Sequence, residues 1–177
     1  MKHLLLLIIL FGCFTSNIKA HEGFIHPGLL HTKSDLERMR SAVVAKTGPI
    51  YNGFKVLEKS PYAQANYQMH GPFPEWGRSP NIRKGEAERD GLAVYQNALM
   101  WAVTGKRAHA KKAIYILNSW IGSLKKVTGI DGVLAAGLQG FMFVNAAELL
   151  RYTNSGWPEE DAKRCGQWFL DVWDPTI

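Results

Sequence analysis

The sequence predicts an all-α protein of helical hairpins, a layered array or an incomplete (α/α) toroid, interrupted by one long loop. Three observations predict it. Apolar residues recur at helical spacing through most of the chain, and no segment stands out at the strand period. Helices apolar almost all round, near 88–104 and 133–152, alternate with helices apolar on a stripe, near 107–125 and 158–173. Stacked hairpins give that alternation of inner and outer members. Finally, the last helix is followed by no inner helix to cover its neighbour's apolar face. Residues 21–177 are therefore expected to be the N-terminal part of a larger domain, with a bare apolar edge.

The chain opens with an expected export signal over Met1–Ala20. Lys2 and His3 precede an apolar run from Leu4 to Phe11 that is too short to span a bilayer. Cleavage after Ala20 would leave His21 first and place the protein in the periplasm. Leu10-Phe11-Gly12-Cys13 offers an alternative, a lipoprotein signal acylated at Cys13, and secretion is a third outcome. No membrane span is expected. Removing Lys2 and Lys19 from the 21 Lys+Arg leaves 19 against 15 Asp+Glu, a formal +4. That balance suits an acidic partner or serves solubility alone. Cys165 would be the one remaining cysteine, which excludes an intrachain disulfide and a cysteine-based metal or redox site. Its neighbours Trp168, Phe169 and Val172 make it a small core residue.

A first helix starts near Thr32 or Ser34, either of which can cap it, and Ser34-Asp35-Leu36-Glu37 has the capping-box form. Leu36, Met39 and Val43 form its apolar stripe. Gly48 ends it, Pro49 suits the first turn of the next helix, and Tyr51, Phe54 and Leu57 continue to Ser60-Pro61. The loop runs from about Ser60 to Lys84. Its segment 67–83 holds three prolines, two glycines, two arginines, a histidine and three aromatic rings. Loops of this length in compact domains are commonly functional, and the rings argue against disorder. Helix resumes near Glu86, breaks at Gly105, and resumes with Ile114, Leu117, Ile121 and Leu124 inward and Lys111, Lys112 and Ser119 outward. After "KVTGIDG" the helix 133–152 follows, then "TNSGWPEED" with Pro158 in a first turn rich in acids.

Candidate functional residues follow from chemistry. Tyr67, His70, Trp76, Arg78 and Arg83 on the loop offer rings for sugar faces and cations for carboxylates. Asn97 and Asn145 sit in the two apolar helices, and each either bonds a neighbouring helix or meets a ligand in a cavity. Glu86, Glu88 and Asp90 are explained by the helix dipole, with a glycosidase pair as the alternative. His109, beside Lys111 and Lys112, reads as solvated and idle. His21, His26 and His31 lack partners at metal-ligand spacing, so no metal and no cofactor are expected. Phosphate-loop, nucleophile-elbow and dinucleotide motifs do not occur. Basic residues among rings can bind single-stranded nucleic acid, but an exported protein is not expected to meet it.

Three blocks carry a resemblance: "HPGLLHTKSDLERMR", "GEAERDGLAVYQNALMWAVTGKRAHAKKAIYILNSW" and "GLQGFMFVNAAELLRYTNSGWPEED". They resemble the alginate-lyase-like polysaccharide lyases, from about His26 to Ile177. The resemblance implies an exported, incomplete helical toroid that cleaves alginate or glucuronan by β-elimination without an obligatory metal. It implies that the 60–84 loop is a lid over the cleft and that Asn145 lies on a cleft-lining helix. It also implies that the catalytic histidine, arginine and tyrosine belong to later helices. No catalytic residue is therefore assigned, and the 177-residue chain alone is expected to be inactive. A non-catalytic helical carbohydrate-binding or scaffold module is the alternative.

Overall fold

The structure, a computed structural model, describes residues 23–177. The segment expected to be an export signal, the alternative acylation position Cys13 and His21 lie outside the described residues. Among the described residues are six α-helices: α1 (Lys33–Ala45), α2 (Gly48–Lys59), α3 (Lys84–Thr104), α4 (Arg107–Ser123), α5 (Gly132–Tyr152) and α6 (Glu159–Trp168). The all-α expectation holds with one addition. Two three-residue strands, β1 (Glu75–Gly77) and β2 (Lys126–Thr128), pair in parallel with Trp76 opposite Val127. Three residues are too few to show a period of two, so the sequence pattern could not reveal them.

Local chemistry sets the helix ends. Thr32 caps α1: its hydroxyl accepts from Asp35 N at 3.2 Å, and Asp35 Oδ2 accepts from Thr32 N at 3.1 Å. The capping box is thus Thr32–Asp35, not the Ser34–Glu37 pattern, because Ser34 already lies within the helix. Lys46 takes the left-handed conformation that ends α1, and Pro49 lies in the first turn of α2. Gly105, at φ +69°, closes α3. The final helix is shorter than 158–173. Pro158 precedes α6 as its N-cap, and after Trp168 the chain widens into a π turn (Phe169–Trp173) and then tightens into a 3₁₀ turn (Asp174–Thr176).

Paired contacts give the helix directions. Glu88 meets Gln139, Gly91 approaches Met142, and Trp101 meets Thr153, a nearly constant interval along both chains. α3 and α5 therefore run parallel. Asn97 meets His109 and Asp90 meets Trp120, so α4 returns antiparallel to α3. Arg151 meets Glu159 and Gly140 approaches Trp173, so α6 returns antiparallel to α5. Asn118–Asp161 and Leu124–Trp168 bonds align α4 with α6. The result is two layers, α3 and α5 in one and α4 and α6 in the other, with α1 packed on α3.

The core lies between these layers. Trp120, Phe143, Trp168 and Trp173 form an aromatic cluster with centroid distances of 5.4–5.9 Å between neighbours. Cys165 is buried beside them, and burial pushes its thiol up to about 12. α4 is more deeply packed than a surface helix, because Ile116 and Trp120 also turn inward beside Leu117 and Ile121. α5 is less buried than its composition suggests. Leu134, Leu138 and Phe141 are 50%, 42% and 44% exposed on one stripe. Asn145, Glu148 and Tyr152 continue that stripe at the same three- and four-residue steps. By length and composition α5 matches a membrane-crossing helix, but half of its apolar window is buried within the protein.

Candidate functional site

The 60–84 loop is built onto α3 and α4. Ser60 caps a single 3₁₀ turn (Pro61–Ala63), and the chain then extends across the two helices. Its first anchor is Asn97. The Asn97 amide donates to Tyr62 O at 2.8 Å and to Gln64 O at 3.3 Å, and its oxygen accepts from His109 Nδ1 at 2.9 Å. Asn97 is fully buried, so it supports the loop from beneath and does not meet a ligand in a cavity. His109 is corrected as well. It is buried, and burial holds its imidazole below the ordinary value, with Lys106 adding repulsion. The neutral ring donates the Asn97 bond.

The second anchor is Asp90. This carboxylate is fully buried and accepts four hydrogen bonds: Tyr67 Oη at 2.9 Å, His70 N at 2.9 Å, Gly71 N at 2.8 Å and Trp120 Nε1 at 3.0 Å. Three of those donors belong to the loop and one to α4. A buried charge is tolerable only with such saturation. Burial and the Asp90 bond together raise the Tyr67 phenol far above its ordinary value, so Tyr67 keeps its proton. Lys112 Nζ donates to Tyr67 O at 2.7 Å, tightening the same turn. Gly71 is required here because a Cβ would lie 2.6 Å from the Trp120 ring. Asp90 is therefore no part of a surface acidic cluster. The signal that could have found it is its spacing with Ala87, Gly91 and Val94, which puts it on the buried face of α3.

Beyond Gly71 the loop drops Trp76 into the core at 1% exposure, 6.2 Å from Trp173. Trp76 is thus a plug, and no sugar can stack on it in this arrangement. The cations stay outside. Arg78 pairs with Asp131 at 3.5 Å, a carboxylate also bonded by Ser79. Arg83 pairs with Glu86 at 3.5 Å and lies over the Phe73 ring at 4.9 Å. Lys84 pairs with Glu88 at 2.7 Å, and Gln139 of α5 donates to the same oxygen at 3.1 Å. Each pair is partly solvated, so each is weak and exchangeable. His70 is exposed, with its backbone held and its ring beside Tyr67.

Asn145 belongs to a different group. Its amide oxygen accepts from Leu30 N at 3.0 Å and its nitrogen donates to Phe141 O at 2.7 Å. The segment before α1 crosses α5 there: Gly28 N and His26 Nδ1 both bond Glu148, and the His26 ring stacks on Tyr152 at 4.1 Å. The same segment reaches α3 through His31 Nε2 and Tyr95 Oη at 2.6 Å. Burial lowers the His31 imidazole, against the pull of Asp35, and raises the Tyr95 phenol.

Among the described residues no group of three or more histidines, cysteines and carboxylates is placed to hold a metal ion. The exposed imidazole and guanidinium groups on a pinned loop offer donors for carboxylates and hydroxyls of a sugar chain.

A family model described as Alginate lyase matches residues 59–176, from the end of α2 through the final turn. The chain belongs to the alginate lyase family. No curated protein and no solved structure matches it. The region matched to the alginate lyase family contains all seven candidate residues, the Asp90 anchor and both hairpins of the two layers. The family is one of polysaccharide lyases, which makes a polysaccharide the implied substrate.

Proposed function

We propose that this chain is an exported, periplasmic polysaccharide lyase domain that acts on a uronate polymer of the alginate or glucuronan type by β-elimination. The family match carries the reading. The pinned loop with its outward cations supports it. In β-elimination a base removes the C5 proton, the electron pair forms the C4=C5 bond, the C4–O bond breaks, and an acid protonates the leaving oxygen. The C5 proton becomes acidic only when the neighbouring carboxylate charge is neutralised. His70, Arg78 and Arg83 are the groups proposed to meet uronate carboxylates. Tyr67, Trp76 and Asn97 act beneath them as supports. The parallel α3 and α5 backed by α4 and α6 fit two hairpins of an (α/α) toroid. The bare stripe on α5, with Leu170 and Ile177 beside it, has the chemistry of a wall on which a further hairpin packs.

A second reading, a non-catalytic carbohydrate-binding module, has one observation in its favour. The Tyr67 phenol and the His109 imidazole, groups of the type a lyase uses, are committed to internal bonds. One experiment separates the two. The protein is mixed with alginate and with glucuronan while ultraviolet absorbance of the C4=C5 uronate is followed and binding is measured in parallel. Product formation establishes the lyase. Binding without product favours the module, and the absence of both binding and product overturns both readings.

A further inference from the structure

We infer that Asp90 is a positioning residue whose buried carboxylate sets the place of His70 for contact with an acidic sugar, an inference that rests on the function proposed above. Asp90 sits on the buried face of α3, which packs against α1, α4 and α5, and is itself held by Trp120 of α4. Its other three bonds all go to residues 67–71: one to the Tyr67 phenol and one to each of the consecutive amides of His70 and Gly71. Two consecutive amides converging on one carboxylate fix the two peptide planes that flank the His70 Cα, and so fix the direction in which the His70 side chain leaves the backbone. Gly71 lets that peptide approach the Trp120 ring, where any side chain would collide. His70 is exposed while its own N–H and that of Gly71 are both held by the buried Asp90 carboxylate.

The bonding also explains why the residue is an aspartate. An asparagine of the same size would present an NH₂ group to at least one N–H donor, so it cannot satisfy the set. A carboxylate accepts all four with two oxygens, and three of those four bonds end on residues 67–71.

The test compares Asp90→Asn with Leu150→Ala. Leu150 is buried on α5 and makes none of these bonds, so its truncation destabilises the fold without touching the loop. Amide hydrogen exchange is read on the 67–73 segment and on α5, and binding to alginate is measured for both variants and for His70→Ala. In Asp90→Asn, protection of 67–73 is expected to fall about tenfold more than protection of α5, while Leu150→Ala lowers both together. Alginate affinity is expected to fall about tenfold in Asp90→Asn and in His70→Ala, with the double variant no worse than either single one. Equal loss of protection in both segments of Asp90→Asn, or additive losses of affinity, overturns the inference. If wild-type protein binds neither alginate nor glucuronan, the functional reading fails, and the exchange data alone then decide whether Asp90 fixes the loop. If Asp90→Asn does not fold, Tyr67→Phe removes one loop donor and keeps the ring. Its selective deprotection of 67–73 supports the inference, and its absence overturns it.

Discussion

At the residue scale, the chain keeps its polar groups inside by saturating them. Asn97 illustrates the cost of failing to do so. Asn97→Leu removes the partners of Tyr62 O, Gln64 O and His109 Nδ1 together, and a loss of about 2–4 kcal/mol is expected from denaturant unfolding. His109 and His31 also make a pH prediction. Each is held below its ordinary value of 6.5 mainly by burial, so the folded state binds fewer protons than the unfolded chain. Stability is then fully present above pH 6.5 and declines as the pH falls below it. Denaturant midpoints measured across that range should show the decline, and His109→Gln should flatten it. Legibility also differed most at this scale. Cys165 could be placed in the core from its neighbours alone, because small apolar residues follow their surroundings. The spacing of Asp90 marks the buried face of α3 but not its partners, and His109 carried no such mark, because a buried polar side chain is defined by partners distant in sequence. The Asp90 bonds join residues up to thirty positions apart.

At the element scale, the helices were legible and the loop's interior was not. Periodicity located all six helices, since an amphipathic stripe is a local pattern. The loop's extent was equally visible in its prolines and glycines. What escaped was the pairing of β1 with β2 and the descent of Trp76, both of which depend on a segment fifty residues away. The candidate site divided along the same line. His70, Arg78 and Arg83 lie on the outer side of the loop, while Tyr67, Trp76 and Asn97 form the underpinning. Two measurements probe this element. Gly71→Ala drives a methyl group into Trp120 and should lower stability by about 1–3 kcal/mol, read by thermal unfolding with intrinsic tryptophan emission. Arg78→Ala with Arg83→Ala should weaken uronate-polymer binding and reduce its salt dependence, measured by titration at several ionic strengths.

At the scale of the whole molecule, the apolar stripe on α5 governs behaviour in solution. Contiguous exposed leucine and phenylalanine on a rigid helix favour association. Leu134→Lys with Leu138→Lys should leave the unfolding temperature nearly unchanged and lower light scattering at high protein concentration. Unchanged scattering would mean that the stripe is not where molecules meet. The segment before α1 has its own effect on this face. It bonds Asn145 and Glu148, stacks on Tyr152 and caps Tyr95, all in the C-terminal halves of α5 and α3. It therefore covers the C-terminal end of this face, so the apolar surface left to meet another molecule is confined to the N-terminal half of α5, around Leu134 and Leu138.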